Sequence, residues 1–148
     1  MSRIIFFDTE VTVDQEKIID FGAINDKDEK LHTGRVDLFS AFIKETTFLC
    51  GHNIIKHDLK YLERHDKSVM AIPAIDTLPL SPLLFPKKPY HRLIKDDKLF
   101  SDQLNNPLND AIQAKDLFYD ECTAYLKLDE RLKTICYWHL NLANNRSY

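Results

Sequence analysis

The chain has few of the residues that mark a specialised class: three glycines, three cysteines, two methionines and one tryptophan in 148 residues. So little glycine excludes a collagen-like or glycine-rich low-complexity chain. The cysteines, Cys50, Cys122 and Cys136, are odd in number and lack Cys-x-x-Cys spacing, which speaks against a disulfide framework or zinc knuckle and for a reducing compartment. No apolar run approaches the ~20 residues of a spanning helix, so no membrane partner is expected. The start, Met-Ser-Arg-Ile-Ile-Phe-Phe, meets Asp8 too early for a signal peptide, and a cytoplasmic location is expected. A dominant charge is missing as well. Twenty Lys and Arg against 23 Asp and Glu leave a net charge of −3, so bulk charge does not announce a nucleic-acid partner. What is present is 44% hydrophobic and 29% charged residues, the composition of a globular chain, and the length predicts one domain over 1–148.

Hydrophobic patterning predicts the order β-β-β-α-β-α-β-α-α. Residues 3–13 carry Ile4, Ile5, Phe6 and Phe7, a continuous apolar run typical of a central strand covered on both faces. Residues 17–25 and 31–36 follow as strands of an antiparallel meander, separated by polar turns. A short helix is expected over 37–45 with Asp37 as cap, a buried strand at 48–50, a helix over 53–64 and a strand over 71–78. Residues 79–98, with four prolines, read as irregular. Asn106-Pro107 is a strong helix start for a segment running to about 127, and a last helix is expected over 129–143, where Trp138, Leu132, Ile135 and Leu142 are expected to pack. Cys50 is expected in the core. The predicted class is α/β, a mixed five-stranded sheet flanked by helices.

Asp8 and Glu10 lie two residues apart on the first strand, so they share a face at its carboxyl end, where open α/β sheets bind ligands. Paired carboxylates there repel unless a cation intervenes. The plainer alternative is a strand end turning to solvent. Asp58 falls on the apolar side of the helix expected from 53, and a buried aspartate needs a partner. Asp110 sits in the first turn of the helix from Pro107, where the helix dipole alone would favour an acid. Four carboxylates on a strand end and two helices suit hard divalent cations, Mg2+ or Mn2+, and a pair of such ions serves phosphodiester hydrolysis.

Three segments carry a resemblance: Phe6-Phe7-Asp8-Thr9-Glu10; Gly51-His52-Asn53 followed by Asp58 and Leu62; and Asn105-Asn106-Pro107-Leu108-Asn109-Asp110-Ala111 through Leu117. In this order they resemble the three motifs of the DEDD (DnaQ-like) 3′→5′ exonuclease superfamily, of ribonuclease H-like fold, over residues 4 to about 120. Ile75-Asp76-Thr77-Leu78 resembles the strand end that follows the second motif. The resemblance implies a 3′→5′ exonuclease acting on DNA 3′ ends, with two metal ions held by Asp8, Glu10, Asp58 and Asp110, and Thr9 and Asn53 near the terminal nucleotide. Helicase-fused members of similar look imply a covalently linked helicase domain in a longer parent protein.

The pattern departs from the family at one place. Where the family carries its histidine or tyrosine general base, this chain has Asn105 and Asn106, and an amide takes no proton at neutral pH. His91, in the proline-rich stretch, is the candidate substitute, with an exposed loop histidine as the alternative. His57 is expected to point about 100° away from Asp58 around the helix, and His52 to fix the loop after its strand. Lys87, Lys88, Tyr90 and Arg92, leading on to Lys95 and Lys98, form the one basic stretch with an aromatic inside it; they either follow a phosphate backbone and stack a base or form a solvated loop. The competing function is a degenerate domain that binds nucleic acid or a partner without cutting.

Overall fold

A computed structural model describes residues 3–14, 17–93 and 106–145. It contains a five-stranded mixed sheet with helices on both faces, as expected from the sequence, and the strand order is β3-β2-β1-β4-β5. Strand β1 (Ile4–Val11) is central; β2 (Ile18–Asn25) and β3 (Lys30–Thr33) form the antiparallel meander, and β4 (Phe48–Gly51) and β5 (Ala74–Asp76) run parallel to β1. Among the described residues no helix is long and apolar enough to cross a membrane.

Strand alternation sorts the side chains into two layers. Ile5 and Phe7 of β1, Phe21 and Ala23 of β2 and Leu49 of β4 face one side, which is covered by α1 (Val36–Ile43) and α2 (Asp58–His65). There Phe39 of α1 stacks on Phe21 at 4.8 Å between ring centres. Phe6, Ile24 and Cys50 face the other side, under α4 (Pro107–Leu126), with Phe118 tilted on Phe6. A short α3 (Ser81–Leu84) and the terminal α5 (Glu130–Asn145) complete the chain.

Two ties fix α4 on the sheet. At its start Asn106 accepts the amides of Leu108 and Asn109, the expected cap, and Pro107 opens the first turn. Further along, the nearly buried Lys115 donates to the Asn25 carbonyl at 2.8 Å and to Asp28 at 2.9 Å, clamping the β2–β3 turn, in which Asp28 adopts a left-handed φ of 65°.

Several boundaries differ from the sequence expectation. The helix expected from residue 53 begins at Asp58. The Asp76 carboxylate takes the amides of Asn53 (2.8 Å), Ile55 (3.2 Å) and Leu78 (3.0 Å), and Asn53 turns left-handed at φ 67°, so 53–57 form turns instead. The strand expected over 71–78 is confined to β5, because Lys67–Ala71 winds into a 3-10 turn capped by Asp66. Helix α1 has Arg35 at its cap, and Asp37 pairs with Arg35 rather than capping. On α5, Cys136 is buried, whereas Leu132, Ile135 and Trp138 are about half exposed, contrary to the expected packing. The helix turns Cys136 inward rather than Trp138 and its neighbours, and the Leu142 side chain lies outside the described residues.

Candidate metal centre

The alternation that builds the core also builds the site. Asp8 and Glu10 continue the face of Phe6, the α4 face, while Thr9 between them points to the α1/α2 face. The cap at Asn106 sets the first turn of α4 over this strand end and delivers Asp110. Asp8, Glu10 and Asp110, all half-buried, each offer one oxygen to a group whose atoms lie within 4.8 Å of one another. Like charges so spaced repel by roughly 3–4 kcal/mol per pair at the effective dielectric of a protein surface. Opposite ligands of Mg2+ or Mn2+ stand ~4 Å apart, so the donor chemistry and the spacing both fit a hard divalent cation.

Asp58, the fourth expected carboxylate, lies outside that group. It is 1% exposed, and its Oδ1 accepts both the Thr9 hydroxyl at 2.6 Å and the Thr9 amide at 2.9 Å. Expected near the nucleotide, Thr9 is itself buried and turned toward Asp58. The partner that a buried aspartate requires is therefore a residue of the first motif, and the contact ties α2 to β1 at the level of Asp8 and Glu10. Because α2 starts at Asp58, this aspartate occupies a first turn, not mid-helix as expected. His57 precedes the helix, so the 100° rotation does not apply to it. Its Nδ1 lies 3.6 Å from Asp58 Oδ2, and Asp58, with a smaller pull from Glu10, raises the imidazole above its ordinary pKa.

The ends of β4 and β5 are clasped together. His52 Nδ1 and the Thr77 hydroxyl are 2.9 Å apart, the loop-fixing role expected of this histidine, and the Thr77 amide donates to the Gly51 carbonyl at 3.0 Å. Burial lowers the His52 pKa, against the pull of Asp76, the His91 backbone and Asp110. Asn53 is thereby held half-buried in a left-handed turn at this end of the sheet. His91 is half-buried, its Nδ1 2.9 Å from the Ser81 hydroxyl. Tyr90 is 81% exposed, with Lys87, Lys88 and Arg92 also at the surface, and Lys88 Nζ sits 4.3 Å from the centre of the Phe85 ring. Asn105, Lys95 and Lys98 lie outside the described residues.

One buried acid was missed in the sequence. Glu121 of α4 is 2% exposed, and neither carboxyl oxygen has a hydrogen-bond partner among the described residues. Burial, then the negative charge of Asp76, pushes its pKa up to about 8, with Lys88 pulling the other way. The buried stripe of α4 runs through Pro107, Ala111 and Ala114, and its next steps reach Phe118 and Glu121, so helical spacing was the available signal.

No family model matches the chain, and no curated protein matches it.

Proposed function

We propose that the chain is a metal-dependent 3′→5′ exonuclease of ribonuclease H-like fold, hydrolysing phosphodiester bonds at nucleic-acid 3′ ends, DNA first. The convergence of Asp8, Glu10 and Asp110 at the carboxyl end of the central strand carries this reading. The antiparallel meander followed by parallel strands is the sheet that the resemblance implies, and it supports the finer fold assignment.

Asp8, Glu10 and Asp110 would hold a divalent cation, and Asp58 is the one remaining acidic group of the motif set from which a second could draw a ligand. A bound cation supplies Lewis-acid polarisation of the phosphate and offsets the negative charge that would otherwise repel the substrate. The chain's own residues position the reactants. Asp58 keeps Thr9 and the strand end fixed, and the clasp of Asp76 and Thr77 fixes the turn that presents Asn53. Lys87, Lys88, Tyr90 and Arg92 offer charge and a stacking face to a departing strand.

The test is incubation of the folded chain with a 5′-labelled single strand in Mn2+ or Mg2+. A ladder shortening from the 3′ end, lost in Asp8→Ala, is expected, with an RNA strand in parallel to rank the substrates. No shortening with either ion overturns the proposal.

One observation favours the second reading, a domain that binds without cutting. Asn106 is occupied as the helix cap, its side-chain oxygen accepting from two amides, so that position serves the fold and not proton transfer. Mn2+ binding without turnover, followed by activity on Asn105→His, would select this reading.

A further inference from the structure

Gly22 stands directly across the β1–β2 ladder from Asp8 and faces α4. A Cβ there would lie 2.0 Å from the Leu108 amide nitrogen, 2.1 Å from the Pro107 carbonyl carbon and 2.4 Å from Leu108 Cα. All three are backbone atoms of the first turn of α4, so no side-chain rotation relieves the contact. The backbone gives no other reason for glycine, since no glycine has a positive φ. Non-bonded carbons settle at ~3.5–4 Å, so any side chain at position 22 would push that turn outward by on the order of 1–1.5 Å. Asp110 is two residues beyond Leu108 in the same turn. Lys115 holds α4 further along, through Asn25 and Asp28, so the displacement falls on the start of the helix, where the carboxylate is.

We infer that Gly22 is a positioning residue for the metal centre: its missing side chain lets α4 seat closely enough to bring Asp110 to Asp8 and Glu10. The inference rests on the reading of these three carboxylates as cation ligands. It makes the separation between strand and helix, not only the identity of the acids, a determinant of cation affinity.

The test uses the full chain and Mn2+ alone, followed by the electron paramagnetic resonance signal of the free ion, with thermal unfolding measured without metal. Gly22→Ala is expected to unfold cooperatively and to bind Mn2+ at least about tenfold more weakly, in the range of losses caused by disturbing groups that orient metal ligands. Adding Asp110→Glu, longer by one carbon–carbon bond of ~1.5 Å, is expected to recover most of that affinity, although Asp110→Glu alone lowers it. Gly34→Ala, whose Cβ would meet the Ile19 carbonyl at 3.0 Å, is the matched control and keeps the affinity. The variants are repeated with Glu121→Met, which removes the buried acid and supplies a more stable background. Unchanged Mn2+ affinity in folded Gly22→Ala overturns the inference, and so does a loss that Asp110→Glu does not recover. Failure to fold even with Glu121→Met also overturns it, because the glycine would then serve the whole fold. A wild-type chain that binds no Mn2+ rejects the cation reading instead. The positional claim is then decided by a crystal structure of Gly22→Ala, in which the separation of Asp8 and Asp110 grows if the claim holds and stays the same if it does not.

Discussion

On the α1/α2 face of the sheet the acidic group at the end of β1 is Asp58, sealed from solvent and satisfied by the hydroxyl and amide of Thr9. On the α4 face, one residue to either side along the same strand, the carboxylates of Asp8 and Glu10 meet that of Asp110, and the same helix buries Glu121 with no hydrogen-bond partner among the described residues. The first arrangement stabilises the fold, because charge-assisted hydrogen bonds to a buried group contribute about 1.5–3 kcal/mol. The second brings like charges together, a repulsion that a cation or a proton would relieve. The like charges gathered on the α4 face favour the proposed metal centre there.

The contrast can be broken first where activity is concerned. Asp8→Ala or Asp110→Ala should reduce Mn2+-dependent hydrolysis by about 10³-fold or more, equivalent to about 4 kcal/mol of barrier, without lowering the midpoint of metal-free thermal unfolding. A comparable loss of stability would place these acids with Asp58, as structural groups.

Glu121 tests the α4 face through pH. Its folded pKa of about 8 lies above the ordinary carboxyl value, so the folded state holds the proton more tightly than the unfolded chain. The acid imposes little penalty below pH 4.5, a growing one between there and pH 8, and a constant one above. Glu121→Met should therefore raise unfolding stability by on the order of 3 kcal/mol at pH 8 and by little at pH 5. Equal gains in urea titrations at the two pH values would mean that burial does not raise the pKa of Glu121.

The α1/α2 face responds in the opposite direction. Asp58→Ala should cost about 2 kcal/mol in urea unfolding, since it strands the buried amide and hydroxyl of Thr9. The double variant with Thr9→Val should cost less than the sum of the two single changes, and additive costs would deny the contact. The smallest effect is expected at Lys115→Met, about 1 kcal/mol, because the amine tie from α4 to the β2–β3 turn is replaced by an apolar side chain of similar length.

The mixed sheet, its central strand and three of the four carboxylates follow from local signals. The apolar run at 4–7 marks the central strand, the spacing of Asp8 and Glu10 puts them on one face, and Asn106-Pro107 fixes the first turn that carries Asp110. What escaped depends on residues distant in sequence. The start of α2 moves to Asp58 because Asp76, more than twenty residues away, binds the amides of the preceding turn. That shift also brings His57 beside Asp58. Gly22 reads as an ordinary strand glycine until a helix some 85 residues later is laid against it. Glu121 was legible in principle, three residues beyond Phe118 on the buried stripe, but the charge of the residue hid its place in the pattern.

The most direct measurement is Mn2+ binding to the wild-type chain and to Asp110→Asn, a change that keeps size and removes charge. Saturable binding that weakens by about 1–2 orders of magnitude in the variant, with unfolding unchanged, is the predicted result. Absence of saturable binding in the wild type, or equal affinity in the two chains, would contradict the assignment of Asp8, Glu10 and Asp110 as a cation site.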